Sequence, residues 1–402
     1  MLPTSKCLSI VAVALLMGVA ACEQDELLRP PGSTPVDVLF TRYVSVGNSI
    51  TAGVQSGGIN EVTQGQAYAV LLAQRMQTPF FIPAMNQPGC PSLYTNVFTQ
   101  TRVPGPPCAL RKADPYPSPY INNVAVPFAE IMDAVTNLDT ASNANTLTTF
   151  FLGGLTQIQM LQRVRPTFAT VWLGNNDVLA AITRGAQVGD SNVITPPTVF
   201  ATRYTTVMSG IDAVGPLGGV LIGVVGVNGI PYLSQGQAYF AAKAAGALPP
   251  TFTVGANCNP RALGGNGDSV LVPFPFGGAL LNQAAGGTPV TLTCTEPETV
   301  QPAELRKIAV TVTAYNQTIQ AAAGARGWAY LDPNPTFDSL RLAGPTTIQP
   351  FPLFGQPCTA NPFGSAISCD GIHPSAAIHR LTANKLIQAI NATYGTSLAA
   401  IP

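Results

Sequence analysis

Short runs of β-branched and aromatic residues alternate with amphipathic helical stretches along this chain, and this alternation constrains its fold most. The strand-like runs cover 42–46, 168–173, 220–227 and 328–331. Helical spacing of apolar residues marks 66–76, 199–214, 303–323 and the segment after Pro374. Strands that are separated by helices pair in parallel, with helices covering both faces of the sheet. The sequence therefore predicts an α/β fold, a three-layer α/β/α sandwich with a mostly parallel, flavodoxin-like sheet.

Residues 1–22 have the pattern of a targeting segment. Lys6 precedes an apolar stretch, 8–21, that is too short to span a bilayer but suits the core of a signal peptide. The small residues before Cys22 resemble the lipobox of bacterial lipoproteins, which implies an acylated Cys22 as the mature N-terminus. An ordinary secretory signal with an incidental cysteine is the alternative. In the lipoprotein pattern, Glu23 after the cysteine implies the outer membrane.

We therefore expect a lipid-anchored protein of the bacterial cell envelope, in the outer membrane. Residues 23–38 begin with charged residues and continue rich in proline, which is typical of a flexible tether. The remaining residues, 39–402, form the predicted domain.

Six cysteines remain once Cys7 and Cys22 are assigned to the signal and the anchor: Cys90, Cys108, Cys258, Cys294, Cys358 and Cys369. An even number in an exported chain indicates disulfides, for which fifteen connectivities exist. We favour pairing of sequence neighbours, because each bond then closes a short loop. A structural zinc site is the rival interpretation, but the chain has no CxxC motif, so we expect no metal.

Two long segments, 78–125 and 233–300, interrupt the alternation of strands and helices. Both are rich in Gly, Pro, Asn and Thr, and together they hold four of the six cysteines. Loops of this length in a compact domain are usually lids or binding loops. We interpret both segments as disulfide-pinned excursions over one end of the sheet, with 273–278 as a mobile loop above a cleft.

The charge content excludes one class of function. The chain has 19 Lys and Arg against 19 Asp and Glu, and only 9% of its residues are charged. A nucleic-acid binder that neutralises phosphates needs a dense basic surface. We therefore expect no nucleic-acid partner.

Three segments carry groups that suit acyl-transfer chemistry. Ser49 follows a β-run and precedes a helical stretch, and Asn176 follows the strand at 168–173. The carboxyl ends of parallel strands are where open α/β sheets bind ligands, and an amide donor there can hold an oxyanion. Of the two histidines, His373 lies three residues after Asp370 at a turn, whereas His379 lies within the last helix. Each segment alone is equally compatible with a plain turn or a helix cap.

Taken together, the three segments resemble the blocks of the SGNH/GDSL hydrolase family, in the family's order. They read Gly47-Asn48-Ser49, Gly174-Asn175-Asn176-Asp177 and Asp370-Gly371-Ile372-His373. The resemblance covers residues 42–395. It implies that Ser49 is a nucleophile, that His373 is its general base, and that Asp370 orients the imidazole. It also implies no cofactor.

The oxyanion donors implied by the resemblance are the Asn176 amide, the Ser49 N–H and the N–H of a glycine in a further block. Phe128 stands in place of that glycine. A backbone N–H survives this change, but a phenylalanine is expected to require a negative φ and its ring to occupy room near the reacting carbon. Gly89 is a weaker substitute for this donor. Asn48 replaces the family's Asp, and we expect the turn to survive because Asn keeps an acceptor.

The function implied is ester hydrolysis through an acyl-enzyme, with a small-molecule or lipid ester as substrate. Family members also remove acetyl groups from carbohydrates, so a carbohydrate or cell-wall O-acetyl esterase is the alternative. A third hypothesis is a surface lipoprotein whose site has decayed and which binds without cleaving.

Overall fold

The computed structural model of the chain describes residues 35–113, 118–136, 145–183 and 193–402. The signal segment with Cys22, and the tether up to residue 34, lie outside the described residues. Among the described helices, none is both long and apolar enough to cross a membrane.

The strands alternate with helices as the sequence predicts. The strands are β1 (Tyr43–Gly47), β2 (Tyr94–Asn96), β3 (Thr101–Arg102), β4 (Phe168–Trp172), β5 (Gly218–Ile222), β6 (Leu233–Gln235), β7 (Phe252–Val254), β8 (Leu271–Pro273), β9 (Val290–Leu292) and β10 (Ala329–Leu331). The helices are α1 (Ser49–Ala52), α2 (Glu61–Gly65), α3 (Tyr68–Met76), α4 (Asn145–Leu152), α5 (Gln157–Val164), α6 (Asn176–Thr183), α7 (Pro197–Asp212), α8 (Gly236–Ala244), α9 (Phe274–Ala285), α10 (Pro302–Gly324), α11 (Asn334–Leu342) and α12 (Ala376–Tyr394).

The main sheet is parallel, with strand order β1-β4-β5-β10. Ser45 of β1 pairs with Thr170 of β4, Thr170 pairs with Val220 of β5, and Val220 pairs with Ala329 of β10. All four strands therefore end at one edge, where the loops that follow them meet.

Helices cover both faces of this sheet, which confirms the predicted three-layer α/β/α fold. Because side chains alternate along a strand, Val44 and Val171 face one core, whereas Tyr43 and Phe168 face the other. Helices α5, α7 and α10 pack on the first face, and α3 and α12 pack on the second.

Strand β5 ends earlier than its apolar run, which continues to Val227. The Gly223 N–H makes a last bond to Leu331 of β10 at 2.9 Å, and from Val224 onward the backbone bonds to asparagine side chains of the surrounding elements. Asn316 accepts from the N–H of Val224 at 2.6 Å, and Asn175 accepts from the N–H of Val225 at 3.0 Å. These side-chain amides take the place of a neighbouring strand as hydrogen-bond partners for the segment after β5.

The segment 233–300 is a small folded unit and not the loop excursion that its composition indicates. Helices α8 and α9 pack with the pairs β6–β8 and β7–β9 around a separate apolar core that includes Tyr239, Phe252 and Leu281. Residues 274–278, expected to be a mobile loop, begin α9, and Phe274 packs against Phe363. Four of the nine residues of α8 are alanine, the residue with the highest helix propensity.

The disulfides join sequence neighbours, as predicted. Their pairs are Cys90–Cys108, Cys258–Cys294 and Cys358–Cys369. The second pair lies in the core of the 233–300 unit, and the third ends next to Asp370.

Candidate active site

Ser49 is the first residue of α1, directly after the turn that leaves β1. The side chain of Asn48 caps this helix and accepts from the N–H of Ile50 at 3.2 Å, so the turn survives the Asp-to-Asn change as expected. Gly47 is required because a Cβ there would lie 2.1 Å from the Thr51 hydroxyl oxygen. The turn presents Ser49, 7% exposed, at the carboxyl edge of the sheet.

His373 meets Ser49 although 324 residues separate them. Its Nε2 lies 2.9 Å from the Ser49 Oγ. The turn before α12 holds the ring in place, because the Ser368 N–H donates to the His373 carbonyl at 2.8 Å. The two groups predicted from separate motifs are thus within hydrogen-bond distance.

Asp370 holds the other side of the imidazole. Its Oδ2 lies 2.8 Å from His373 Nδ1 and also accepts from the Gly57 N–H at 2.6 Å. Its Oδ1 accepts from the N–H groups of Ile372 and His373. Burial alone would raise the pKa of Asp370, but the His373 charge and these hydrogen bonds outweigh it and lower the pKa to about 2.

This arrangement fixes which ring nitrogen is free to accept a proton. An ionised carboxylate only accepts, so His373 Nδ1 carries the hydrogen and donates it to Asp370. Nε2 is then unprotonated in the neutral ring and accepts from the Ser49 hydroxyl. Chemically, the three groups are able to draw a proton from Ser49 and stabilise the imidazolium that results.

Asn176 stands at the start of α6, one turn after β4. Its Nδ2 donates to the Ala129 carbonyl at 2.9 Å, which leaves the second hydrogen of the amide for a ligand. Gly174 makes the preceding turn possible, with φ 110°. The Ser49 N–H, at a helix N-terminus, has no acceptor within the helix and is a further donor in this region.

Phe128 adopts φ 64°, which contradicts the expectation that a phenylalanine there needs a negative φ. The backbone thus takes the left-handed conformation that suits glycine, at a cost on the order of 1–3 kcal/mol. Phe128 is 56% exposed, so burial returns less than half of the ~1.5–3 kcal/mol of full burial. Partial burial of the side chain therefore offsets only part of a strain in the middle of that range.

Neighbouring hydrogen bonds explain why the strained turn persists. On one side, the Val126 N–H donates to the Gly47 carbonyl at 3.2 Å. On the other side, the Asn176 amide binds the Ala129 carbonyl, and the Ile131 N–H donates to Asp177 Oδ2 at 2.9 Å. In the described part of the chain, the Phe128 N–H has no acceptor of its own. Gly89, the weaker substitute, instead packs against the Ile59 backbone.

Asp177 and Gly57 also contribute to the site, and neither was predicted to do so. Burial raises the pKa of Asp177 to about 6, although the N–H of Ile131 opposes this. Asp177 follows Asn176 directly in one of the three sequence blocks, and this position could have indicated that it belongs to the site. Nothing in the sequence around Gly57 indicates that its N–H reaches Asp370.

An open apolar cleft begins at Ser49 and His373 and runs across the ends of β4, β5 and β10 towards α11 and α12. It spans about 1030 Å³ of space between atoms, including the part open to solvent. Its apolar side chains include Ile50, Trp172, Leu179, Val225, Ile230, Leu331, Phe337 and Ile378. Residues 273–278, expected above the cleft, do not line it.

His379 is a buried structural residue, consistent with its expected place in the last helix. It is 0% exposed, and its Nδ1 accepts from the Tyr68 N–H at 3.3 Å. Burial, together with the His373 charge, lowers the pKa of His379 to about 3. Among the described residues, no cluster of three or more metal-ligating side chains occurs.

No family model matches the chain, and no curated protein matches it. Solved structures that match include the acetylxylan esterase Axe2 from Geobacillus stearothermophilus, at 10% identity and a TM-score of 0.39, over 89% of this chain and 96% of that one. LAE5, an alpha/beta hydrolase from the metagenome of Lake Arreo, Spain, matches at 12% identity and a TM-score of 0.36, over 88% and 96%. TesA matches at 13% identity and a TM-score of 0.34, over 88% of this chain and 99% of that one. Likeness at this level does not identify an activity.

Proposed function

We propose that this protein is a serine hydrolase of the SGNH/GDSL type that cleaves carboxylic esters with apolar acyl chains. The observation that carries the proposal is the continuous hydrogen-bond path from Ser49 Oγ through His373 to Asp370, with distances of 2.9 and 2.8 Å. A hydroxyl on an imidazole that is itself oriented by a carboxylate is the arrangement of nucleophilic acyl transfer.

In the proposed reaction, Ser49 Oγ attacks the ester carbonyl carbon while His373 Nε2 takes the hydroxyl proton. The ionised Asp370 stabilises the imidazolium, which then gives its proton to the leaving alkoxide as the C–O bond breaks. The products of this half are the alcohol and an ester between Ser49 and the acyl group. In the second half, His373 removes a proton from water as the water oxygen attacks the acyl carbon. The bond from that carbon to Ser49 Oγ then breaks, the carboxylic acid leaves, and His373 returns the proton to Ser49.

The negative charge on the carbonyl oxygen needs donors that are in place before the reaction. We assign this role to the second hydrogen of the Asn176 amide and to the N–H groups of Ser49 and Phe128. Each such donor contributes about 3–4 kcal/mol to transition-state stabilisation. The left-handed turn at Phe128 supports this assignment, because it keeps the N–H without another acceptor among the described residues.

The apolar cleft beside Ser49 supports an acyl or lipid ester as the substrate. Its walls are mostly aliphatic and aromatic, as in sites that bind small organic ligands. An acyl chain there buries apolar surface at about 0.8 kcal/mol per CH₂. The hydroxyls of a saccharide need hydrogen-bond partners, and these walls offer few, which disfavours the carbohydrate O-acetyl esterase.

Hydrolysis of p-nitrophenyl esters from acetate to dodecanoate, beside release of acetate from acetylated xylan, tests this proposal. We expect kcat/KM to rise with acyl length up to the length of the cleft, and Ser49→Ala to remove the activity. A strict preference for acetylated xylan would reject the lipid ester as substrate and support the carbohydrate O-acetyl esterase. No Ser49-dependent hydrolysis of any ester would favour the binding protein.

We also propose that Cys22 carries the lipid anchor of an outer-membrane protein, on the support of the sequence around it. Expression in a bacterial host with an alkyne analogue of palmitate tests this. We expect label on the wild-type chain and none on Cys22→Ser, whereas equal labelling of both would reject the anchor.

A further inference from the structure

We propose that the ring of Phe128 forms a subsite for the alcohol part of the ester and selects alcohols that present a flat apolar face. This inference rests on the proposed function and adds the second half of the substrate to it. The apolar cleft accounts only for the acyl chain.

The strain at Phe128 is the first observation. A glycine would adopt φ 64° freely, whereas a phenylalanine is strained there, and the hydrogen bonds on both sides of the turn force that conformation on whatever residue stands there. Strained residues of this kind concentrate at ligand-binding and catalytic sites.

The exposure of the ring is the second observation. Phe128 is 56% exposed and makes no ring contact with another aromatic side chain of the described residues. Stacking on other aromatic side chains therefore does not offset the strain, and more than half of the ring's surface stays available for contact. An exposed aromatic side chain on a rigid turn is instead suited to contact a ligand.

The position of the ring indicates which part of the substrate it meets. Ala129, next to Phe128, bonds the Asn176 amide at 2.9 Å, so the turn lies beside the place of the reacting carbonyl. Ser49, Asn176 and His373 line the apolar cleft, but Phe128 does not. With the acyl chain in the cleft, the part of the ester that remains for the ring is the alcohol.

The chemistry of the ring indicates the class of alcohol. A phenyl face carries no hydrogen-bonding group, and it attracts other aromatic rings and apolar surfaces in stacked or edge-to-face contact. We therefore expect benzyl-type or similarly flat apolar alcohols to be favoured over small ones that cannot reach the ring.

The test compares benzyl octanoate with methyl octanoate, because the acyl part is the same and the two alcohols are of similar acidity. We expect the ratio of kcat/KM for the benzyl ester to that for the methyl ester to fall about threefold to tenfold in Phe128→Gly. Phe128→Tyr keeps the ring and is the matched control, with a ratio within about twofold of wild type. Phe128→Asn, which also tolerates a positive φ, repeats the test if the glycine variant folds poorly.

An unchanged ratio in active Phe128→Gly, or an equal fall in Phe128→Tyr, would overturn the subsite while leaving the hydrolase intact. A proportional loss on both esters would likewise assign Phe128 to oxyanion placement alone. If wild type cleaves neither ester and Ser49 resists fluorophosphonate, the proposed function fails, and the subsite fails with it.

Discussion

The surroundings of Asp370 make the stability of the fold depend on pH. Its pKa is about 2 in the folded chain, below the ordinary 3.8. A depressed pKa means that the ionised carboxylate stabilises the fold above pH 4 and that this contribution, about 2 kcal/mol, is lost as the pH falls from 4 to 2.

We therefore expect the difference in free energy of unfolding between wild type and Asp370→Asn to narrow by about 2 kcal/mol as the pH falls from 4 towards 2. Urea unfolding followed by circular dichroism across this range measures it. Asp338→Asn, on the exposed Asp338–Arg341 pair, is the control and should give a flat, small difference. A difference that stays constant down to pH 2 for Asp370→Asn would contradict the pKa assignment.

The role of Asn176 as an oxyanion donor can be tested by a single substitution. Asn176→Ala removes a proposed oxyanion donor, and we expect kcat to fall about 10²- to 10³-fold with little change in KM. Steady-state kinetics on p-nitrophenyl octanoate measures this. Asn86→Ala, which removes an exposed amide that binds Leu110, is the matched control. A rise in KM alone would place Asn176 in substrate binding instead.

At the scale of elements, the turn from β1 to α1 depends on one contact. A Cβ at Gly47 would lie 2.1 Å from the Thr51 hydroxyl oxygen, so Gly47→Ala must displace the helix that carries Ser49. We expect a loss of about 1–3 kcal/mol in stability together with a large loss of activity. Thermal unfolding and ester hydrolysis measure the two effects.

Gly324→Ala is the control for that substitution. Gly324 lies at the end of α10, and a Cβ there would meet no described atom within 4 Å, so alanine should be neutral or stabilise by up to ~1 kcal/mol. Equal stability of Gly47→Ala and Gly324→Ala would show that the turn tolerates a side chain.

The sheet and its helices were predictable because their signals are local. Apolar periodicity located β1, β4, α7 and α10 to within a few residues. The end of β5 was not predictable, because side chains of Asn175 and Asn316, distant in sequence, replace the strand partners there.

The site, too, has residues that the sequence predicted and one conformation that it did not. The positions of Ser49, Asn176, Asp370 and His373 followed from short motifs at strand ends, whereas the conformation of Phe128 did not. Its φ is set by bonds from Gly47, Asn176 and Asp177, and a sequence alone does not reveal those contacts.

At the scale of the whole molecule, two disulfides brace different parts of the fold. Cys358–Cys369 ends beside Asp370, whereas Cys258–Cys294 lies in the core of the 233–300 unit, away from the cleft residues. We expect Cys358→Ser with Cys369→Ser to lower kcat, because the loop that carries Asp370 loosens.

The double variant Cys258→Ser with Cys294→Ser is the control. It should destabilise the 233–300 unit, by about 2–5 kcal/mol as is typical of native disulfides, and affect kcat of the folded enzyme less. Kinetics at a temperature where both variants remain folded decides the comparison. Equal kcat for both variants and wild type would mean that the Asp370 turn is held without its disulfide.

The most direct measurement of the central claim is covalent labelling by a fluorophosphonate, followed by intact mass and peptide mapping. A Ser49 hydroxyl activated by His373 is predicted to form a stoichiometric adduct on Ser49, slowed by Asp370→Asn and absent from Ser49→Ala. An unmodified Ser49, or label that persists in Ser49→Ala, would contradict the account of this protein as a serine hydrolase.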